Sequence, residues 1–257
     1  MKQEQLAAVI MAAGKGTRMN NPSMAKVMFP VGGAPMIYHV VARSLECHAV
    51  RVIAIIGHNR ESVREYLTGA FPGAVEFAEQ VEQLGTGHAV MQAAPLLEGF
   101  DGDVMILSGD VPLLSGETIL ALRAHHTAAG AVATVLTVIA PDPTGYGRII
   151  RNDDGSVARI VEQKDASEEE RAVDEINSGI YVFRSLDLLE ALAQLRNDNA
   201  QHEYYLTDVF GWFRDQGRPI AAHTSADFGE VQGINTVDQL AHVDREFARR
   251  SEPAGEC

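Results

Sequence analysis

Cysteine is nearly missing from this chain: among 257 residues only Cys47 and Cys257 are cysteines, one after a predicted helix and one at the last position. That count and placement support neither a disulfide framework nor a cysteine zinc site. Long apolar runs are missing too. None approaches the roughly 20 residues of a membrane span, and the opening MKQEQLAAVI lacks the apolar core and small-residue cleavage site of a secretory leader. The expectation is a cytoplasmic protein with no membrane partner. Low-complexity tracts and internal repeats are also lacking, and a chain that is 46% hydrophobic and 22% charged has ordinary globular composition. Positive charge is scarce, with 21 Lys and Arg against 35 Asp and Glu, a net charge of −14. Such a balance disfavours non-specific nucleic-acid binding, which depends on cations facing phosphates.

Acid, in turn, is absent from one window. Between Gln5 and Leu45 there is no Asp or Glu, while Lys15, Arg18, Lys26 and Arg43 all fall inside it. An acidic protein therefore carries one locally positive segment. Around it, nearly continuous apolar runs (LAAVIMAA, VRVIAIIG, DVMILSGD, AVATVLTVI) alternate with amphipathic stretches (PMIYHVVARSLE, ESVREYLTG, GHAVMQAAPLLEG, GETILALRAHH). This pattern predicts an α/β fold, a mostly parallel sheet flanked by helices. After Pro143 it changes. YGRIIR, the turn NDDG and SVARIVEQ read as a β-hairpin, followed by a strand EINSGIYVFR and a helix LDLLEALAQLR. The chain reads as one domain over 1–257: a nucleotide-binding part of about 1–140, a β-rich lobe of about 141–227, and a closing segment and helix in 228–250. The helix is expected over Thr236 to Arg249, with Val237, Leu240, Ala241 and Phe247 on one face.

The positive segment contains MAAGKGTRM, residues 11–19, directly after the first predicted strand. Glycines in such a turn let backbone N–H groups approach a phosphate. The Walker A pattern fails, because Val9 stands where a glycine is needed and Gly16 where Ser or Thr must follow the lysine. The dinucleotide pattern fails at Met19, where its third glycine belongs, and no acid follows until Glu46. What remains is a loop with its own cations, Lys15 and Arg18, and Lys26 shortly after it, suited to a nucleoside triphosphate.

MAAGKGTRM followed by MAKVMFP resembles the opening motif of the sugar nucleotidyltransferases, with Ala25 in place of the usual proline before Lys26. AEQVEQLGTGHAV supplies Gln80, whose amide can match a uracil edge, and the turn residues Gly85 and Thr86, the last also a candidate helix N-cap. ILSGDVPLL places Asp110 at the carboxyl end of a strand, where ligands of open α/β sheets bind. With Asn235 of VQGIN it makes a candidate Mg²⁺ pair, since magnesium takes few protein oxygens plus water and phosphate.

GYGRI, IVEQKDA, EINSGI and NAQHEYYLTD extend the similarity, over about residues 5–245, to the pyrophosphorylase half of the bacterial N-acetylglucosamine-1-phosphate uridyltransferases. The resemblance implies a Rossmann-like sheet with an inserted sugar-binding lobe. It implies UTP and a sugar 1-phosphate as substrates and Mg²⁺ as cofactor. Ala12, Ala13, Gly14, Gly16, Thr17, Gln80, Gly85 and Thr86 would hold the nucleotide, and Gly147, Glu162, Asn177, Tyr205 and Thr207 the sugar. Arg18 and Lys26 would act on the phosphates, with Asp110 and Asn235 on the metal. Two departures stand out: Val237 occupies a position where the family commonly has Arg, and the hexapeptide-repeat acetyltransferase half is lacking, so acetyl transfer is not expected. Another hexose 1-phosphate, thymidylyl transfer, or a non-catalytic nucleotide-sugar sensor are the alternatives. Oligomeric state is not legible.

Overall fold

The computed structural model describes residues 5–19, 21 and 23–251. Strand β1 (Gln5–Ala12) is buried along nearly its whole length, as its apolar run requires of a strand covered on both faces. A short ribbon of β2 (Pro30–Val31) and β3 (Ala34–Pro35) follows, then α1 (Met36–Glu46), β4 (Arg51–Ile56), α2 (Arg60–Ala70) and β5 (Val75–Glu79). Next come α3 (Thr86–Leu97), β6 (Gly102–Ser108), α4 (Gly116–Ala129) and β7 (Ala133–Ile139). The later part contains β8 (Arg148–Arg151), β9 (Val157–Val161), α5 (Glu168–Arg171), β10 (Glu175–Arg184) and α6 (Ser185–Leu192). It ends with α7 (Asp208–Asp215), β11 (Ile220–Ser225), α8 (Phe228–Val231) and α9 (Val237–Ser251).

The main sheet has the order β11-β7-β10-β6-β1-β4-β5. Strands β6, β1, β4 and β5 pair in parallel, β11 is parallel to β7, and β10 alone on this path runs antiparallel to its neighbours. The sheet divides the core by side-chain alternation. Leu6, Ala8 and Ile10 of β1 join Ile37, Val40 and Val41 of α1 on one face. On the other, Ala7 and Val9 join Ala89, Val90 and Ala93 of α3 with Phe210 and Phe213 of α7. The expected Rossmann-like arrangement, a mostly parallel sheet between helices, is the observed one.

The predicted hairpin is present as β8 and β9, its turn closed by the bond from Gly155 N–H to the Asn152 carbonyl (2.9 Å). β10, grouped with the lobe by the sequence, instead threads into the middle of the main sheet between β6 and β7. β8 pairs with it at Arg148–Ile176, so the hairpin is anchored to the sheet it projects from. The apolar face of α9 also differs from expectation. Val237 and Ala241 are exposed; the packed stripe is Leu240, Val243 and Phe247, the i, i+3, i+7 spacing of one helix face. Phe247 lies on Gly32 beside the β2–β3 ribbon, and the Gly32 N–H donates to Asp244 Oδ1 (2.8 Å). Helix α9 thus closes onto the segment that follows the glycine loop after β1. No helix among the described residues is long and apolar enough to cross a membrane.

Candidate active site

The loops after β1, β4, β5 and β6 emerge at one edge of the sheet, because these strands are parallel and in register there (Ala12 beside Ile56, Met11 beside Ser108). After β1, Gly16 adopts φ +61° and its carbonyl accepts from Met19 N–H (2.9 Å), closing the turn that presents Arg18. A Cβ on Gly16 would stand 2.7 Å from Lys26 Cβ. Glycine is therefore required twice here, for the left-handed backbone and for the close approach of the lysine. Thr17 belongs to this turn, but its side chain lies outside the described residues. Ala25, the departure before Lys26, is fully buried with φ −61° and ψ 138°. That is the backbone geometry proline itself would impose, so the alanine keeps the path into Lys26.

Asp110 follows β6, and Asn235 precedes α9. Thr236 and Gln239 form a reciprocal cap at the start of that helix: Gln239 N–H donates to Thr236 Oγ1 (3.2 Å) and Gln239 Oε1 accepts from Thr236 N–H (3.1 Å). The same Gln239 Oε1 accepts from Asn235 N–H (2.7 Å), while Ile234 N–H donates to the Asp110 carbonyl (3.1 Å). The cap and this strap hold the asparagine against the aspartate.

Across these elements the four polar groups converge. Lys26 Nζ donates to Asp110 Oδ2 and to Asn235 Oδ1 (2.7 Å), and Arg18 Nη2 donates to the same Asn235 oxygen (3.3 Å). The Lys26 and Asp110 side chains are 13% and 16% exposed, so the pair is only partly screened by water. Asp110 and Asn235 offer hard oxygens, and the space beside them is kept open by Gly233, whose Cβ would lie 3.5 Å from Asp110 Oδ2. That donor set fits a magnesium-like cation completed by water and phosphate.

A cavity of about 300 Å³ adjoins this cluster, lined by Gly14, Lys26 and Asp110 and also by Gln80, Gly85 and Thr86. Ala12 and Ala13 line it as well; Gly16 is not on its wall and packs against Lys26, which is. Gln80 is 4% exposed and donates Nε2 to the Gly85 carbonyl (3.1 Å), with His88 Nδ1 at 3.2 Å. With the NH₂ engaged, its carbonyl oxygen is the group left to meet a base. Such an acceptor matches the N3–H of uracil or thymine and opposes the unprotonated N3 of cytosine. The cap of α3 is Gly85, at φ +107°, and not Thr86 as the sequence suggested. The Thr86 hydroxyl is turned to the chain that follows α6 instead, where Oγ1 accepts from Leu206 N–H (3.1 Å).

The sugar candidates gather around Glu162. Thr207 Oγ1 donates to Glu162 Oε1 (3.1 Å), and a Cβ on Gly147 would lie 3.5 Å from both Glu162 Oε2 and Asn177 Cβ. Glu162, Tyr205 and Thr207 line a second cavity of about 420 Å³; Gly147 and Asn177 stand behind Glu162 rather than on that wall. Asn177 Nδ2 donates to the Tyr181 hydroxyl (2.7 Å) and its Oδ1 accepts from Gly179 N–H (3.0 Å), fixing the bulge in β10. Each end of that amide keeps capacity for one further bond. The Tyr205 hydroxyl donates to Asp165 Oδ2 (3.1 Å). Burial raises the Glu162 carboxyl above the usual carboxylate range; the Thr207 bond counters this, and the charges of Asp208, Asp165 and Glu203 add to it. Asp208 is pushed up to about 6, by desolvation first and by Asp165 second.

Three further polar residues of the first cavity were not singled out in the sequence: Gln83, Ser108 and Glu203. Gln83 Nε2 donates to the Ala13 carbonyl (2.9 Å), so it braces the glycine loop after β1 from the β5–α3 turn. Its place between Gln80 and Gly85 was the one signal available.

A glycine turn, two cations, a paired carboxylate and amide, and an adjoining cavity on the carboxyl edge of an α/β sheet are chemistry suited to a nucleotide. The nucleotidyl transferase family model matches residues 7–239, and the chain belongs to that family. It is 47% identical over 248 residues to the bifunctional protein GlmU of Corynebacterium efficiens, covering 95% of this chain and 51% of that protein. It is 50% identical over 238 residues to the bifunctional protein GlmU of Geobacillus thermodenitrificans, covering 93% and 51%. The chain thus spans about half the length of the curated relatives it matches. A crystal structure of UDP-glucose pyrophosphorylase complexed with UDP-glucose superposes with TM-score 0.76 at 17% identity, over 96% of this chain and 99% of that one, which speaks for the fold alone.

Proposed function

We propose that this chain transfers the uridylyl group of UTP to N-acetylglucosamine 1-phosphate, giving UDP-N-acetylglucosamine and pyrophosphate. The observation that carries the reading is the meeting of Arg18, Lys26 and Asp110 at Asn235 beside a base-sized cavity. An oxygen of the sugar phosphate forms the new bond to the α-phosphorus of UTP. The bond from that phosphorus to the bridging oxygen of the β-phosphate breaks, and its electrons leave with pyrophosphate. The nucleophile is already ionised at neutral pH, so no side chain has to remove a proton.

The obstacle is repulsion between two polyanions, which positioned cations relieve as charge redistributes in the transition state. Arg18 and Lys26 serve the triphosphate and the transferring group, with exposed Lys15 auxiliary. Asp110 and Asn235 would hold Mg²⁺, which supplies Lewis-acid neutralisation of phosphate charge. Gln80 and the Gly85 turn read the base, and Glu162, Asn177, Tyr205 and Thr207 with Gly147 shape the sugar side. The names of the GlmU relatives and the motifs of the uridyltransferases support this choice of substrates. A sensor would need the slot but not the cation cluster. The test is pyrophosphate release with a panel of UTP, CTP and dTTP against N-acetylglucosamine, glucose and other hexose 1-phosphates. Highest turnover is expected for UTP with N-acetylglucosamine 1-phosphate. Nucleotide binding without release under any pairing would favour the sensor.

A further inference from the structure

One carboxylate in the nucleotide cavity has no task in the reading above, on which this inference rests. Glu203 lines that cavity beside Gly85: a Cβ on Gly85 would stand 2.9 Å from Glu203 Cβ. Its backbone is fixed on both sides. Glu203 N–H donates to Asn199 Oδ1 (3.1 Å), and its carbonyl accepts from Asn199 Nδ2 (2.5 Å). The next residue is sewn to the turn before α3, with Tyr204 N–H donating to the Leu84 carbonyl (2.8 Å) and the Tyr204 carbonyl accepting from Gly87 N–H (2.7 Å). Such anchoring fixes the residue at the cavity wall; no hydrogen bond or ion pair engages the Glu203 carboxylate among the described residues, while its charge is felt at Glu162.

A carboxylate kept in a slot meant for a polyanion is repelled by the phosphates unless it accepts donors from the same ligand. A uridine nucleotide offers few. The base N3–H faces the free carbonyl oxygen of Gln80, and Lys26 and Arg18 lie at the phosphate end, engaged with Asp110 and Asn235. The hydroxyls of the ribose, between base and phosphates, remain. We infer that Glu203 is a specificity-determining residue that accepts a hydrogen bond from the ribose diol, making the site selective for ribonucleotides over deoxyribonucleotides. O–H donation to a carboxylate is a short, charge-assisted bond, and a site built around a hydroxyl penalises the analogue that lacks it by leaving its own polar group unpaired.

The test compares kcat/KM for UTP, 2′-deoxy-UTP and 3′-deoxy-UTP in the wild type, Glu203→Gln and Glu203→Ala, with KM for the sugar phosphate measured alongside. The wild type should prefer UTP to at least one deoxy analogue by roughly tenfold or more. Glu203→Ala should lose most of that ratio, and Glu203→Gln, which keeps an acceptor, should retain part of it. A ratio unchanged in Glu203→Ala, or a loss that falls on the KM of the sugar phosphate, overturns the assignment. Calorimetric binding of UTP and the deoxy analogues gives the same ratio without turnover, so it tests Glu203 even if pyrophosphate release shows the proposed reaction to be wrong.

Discussion

Lys26→Met should strengthen cation binding while it weakens catalysis, two effects of opposite sign from one substitution. The Lys26 ammonium bonds to Asp110 Oδ2 and Asn235 Oδ1, the oxygens a magnesium-like ion would use. A cation entering without nucleotide has to take them from the lysine. Hydrogen bonds to charged groups contribute about 1.5–3 kcal/mol each, and the pair is mostly shielded, at 13% and 16% exposure. Recovering about 1.5–3 kcal/mol corresponds to roughly 10- to 100-fold tighter cation binding. Turnover should fall on the order of 10²- to 10³-fold, as for the loss of one transition-state donor. Manganese titration followed by electron paramagnetic resonance, with no nucleotide present, reads the first effect, and pyrophosphate release reads the second. Unchanged or weaker manganese affinity in Lys26→Met would show that the lysine and the ion do not share those oxygens.

Gln239→Ala removes the acceptor that fixes the Asn235 backbone and half of the α9 cap; the expected outcome is weaker manganese binding and a loss of about 1 kcal/mol of stability, measured by titration and chemical denaturation. Ala25→Pro matches the existing φ of −61° and should stabilise by about 0.4–1 kcal/mol through the unfolded state; a lowered Tm would mean that the buried site has no room for the ring. His126 is 2% exposed, donor or acceptor to Thr134 Oγ1 at 2.8 Å, and burial lowers it to about 4 despite the Asp103 charge nearby. Because the folded value lies below the unfolded 6.5, its contribution is complete above pH 6.5 and is lost as pH falls towards 4, to the extent of roughly 3 kcal/mol. Glu162 and Asp208, both raised, give the opposite slope, so the difference in denaturation free energy between the wild type and His126→Gln isolates the imidazole; a difference independent of pH between 4 and 7 would count against it.

Local chemistry was legible in the sequence, and long-range pairing was not. The apolar runs announced strands such as β1 and β6 because burial on both faces leaves no alternation to blur them. Gly16 and Lys26 stood out, but that the glycine exists to admit the lysine is visible only in the folded contact. Asp110 could be placed at a strand end by pattern, whereas Asn235, bonded to Arg18 across 217 positions, was paired with it on the ligand chemistry of magnesium and not on any spacing. β10 was read with the hairpin that precedes it, since nothing in a strand's own residues says which neighbours it will choose. Thr86 is a good N-cap residue by type, and the structure spends its hydroxyl on Leu206 instead. Gln83 and Glu203 escaped notice because a lone polar side chain in a loop carries no pattern until its partners from other elements surround it.

The most direct test of the central claim is pyrophosphate release from UTP and N-acetylglucosamine 1-phosphate by Asp110→Asn, with circular dichroism to confirm the fold. Loss of the carboxylate should lower turnover on the order of 10²- to 10³-fold with the fold intact. Turnover near that of the wild type would mean that the cluster joining Arg18, Lys26 and Asn235 to this carboxylate is not where the phosphates react.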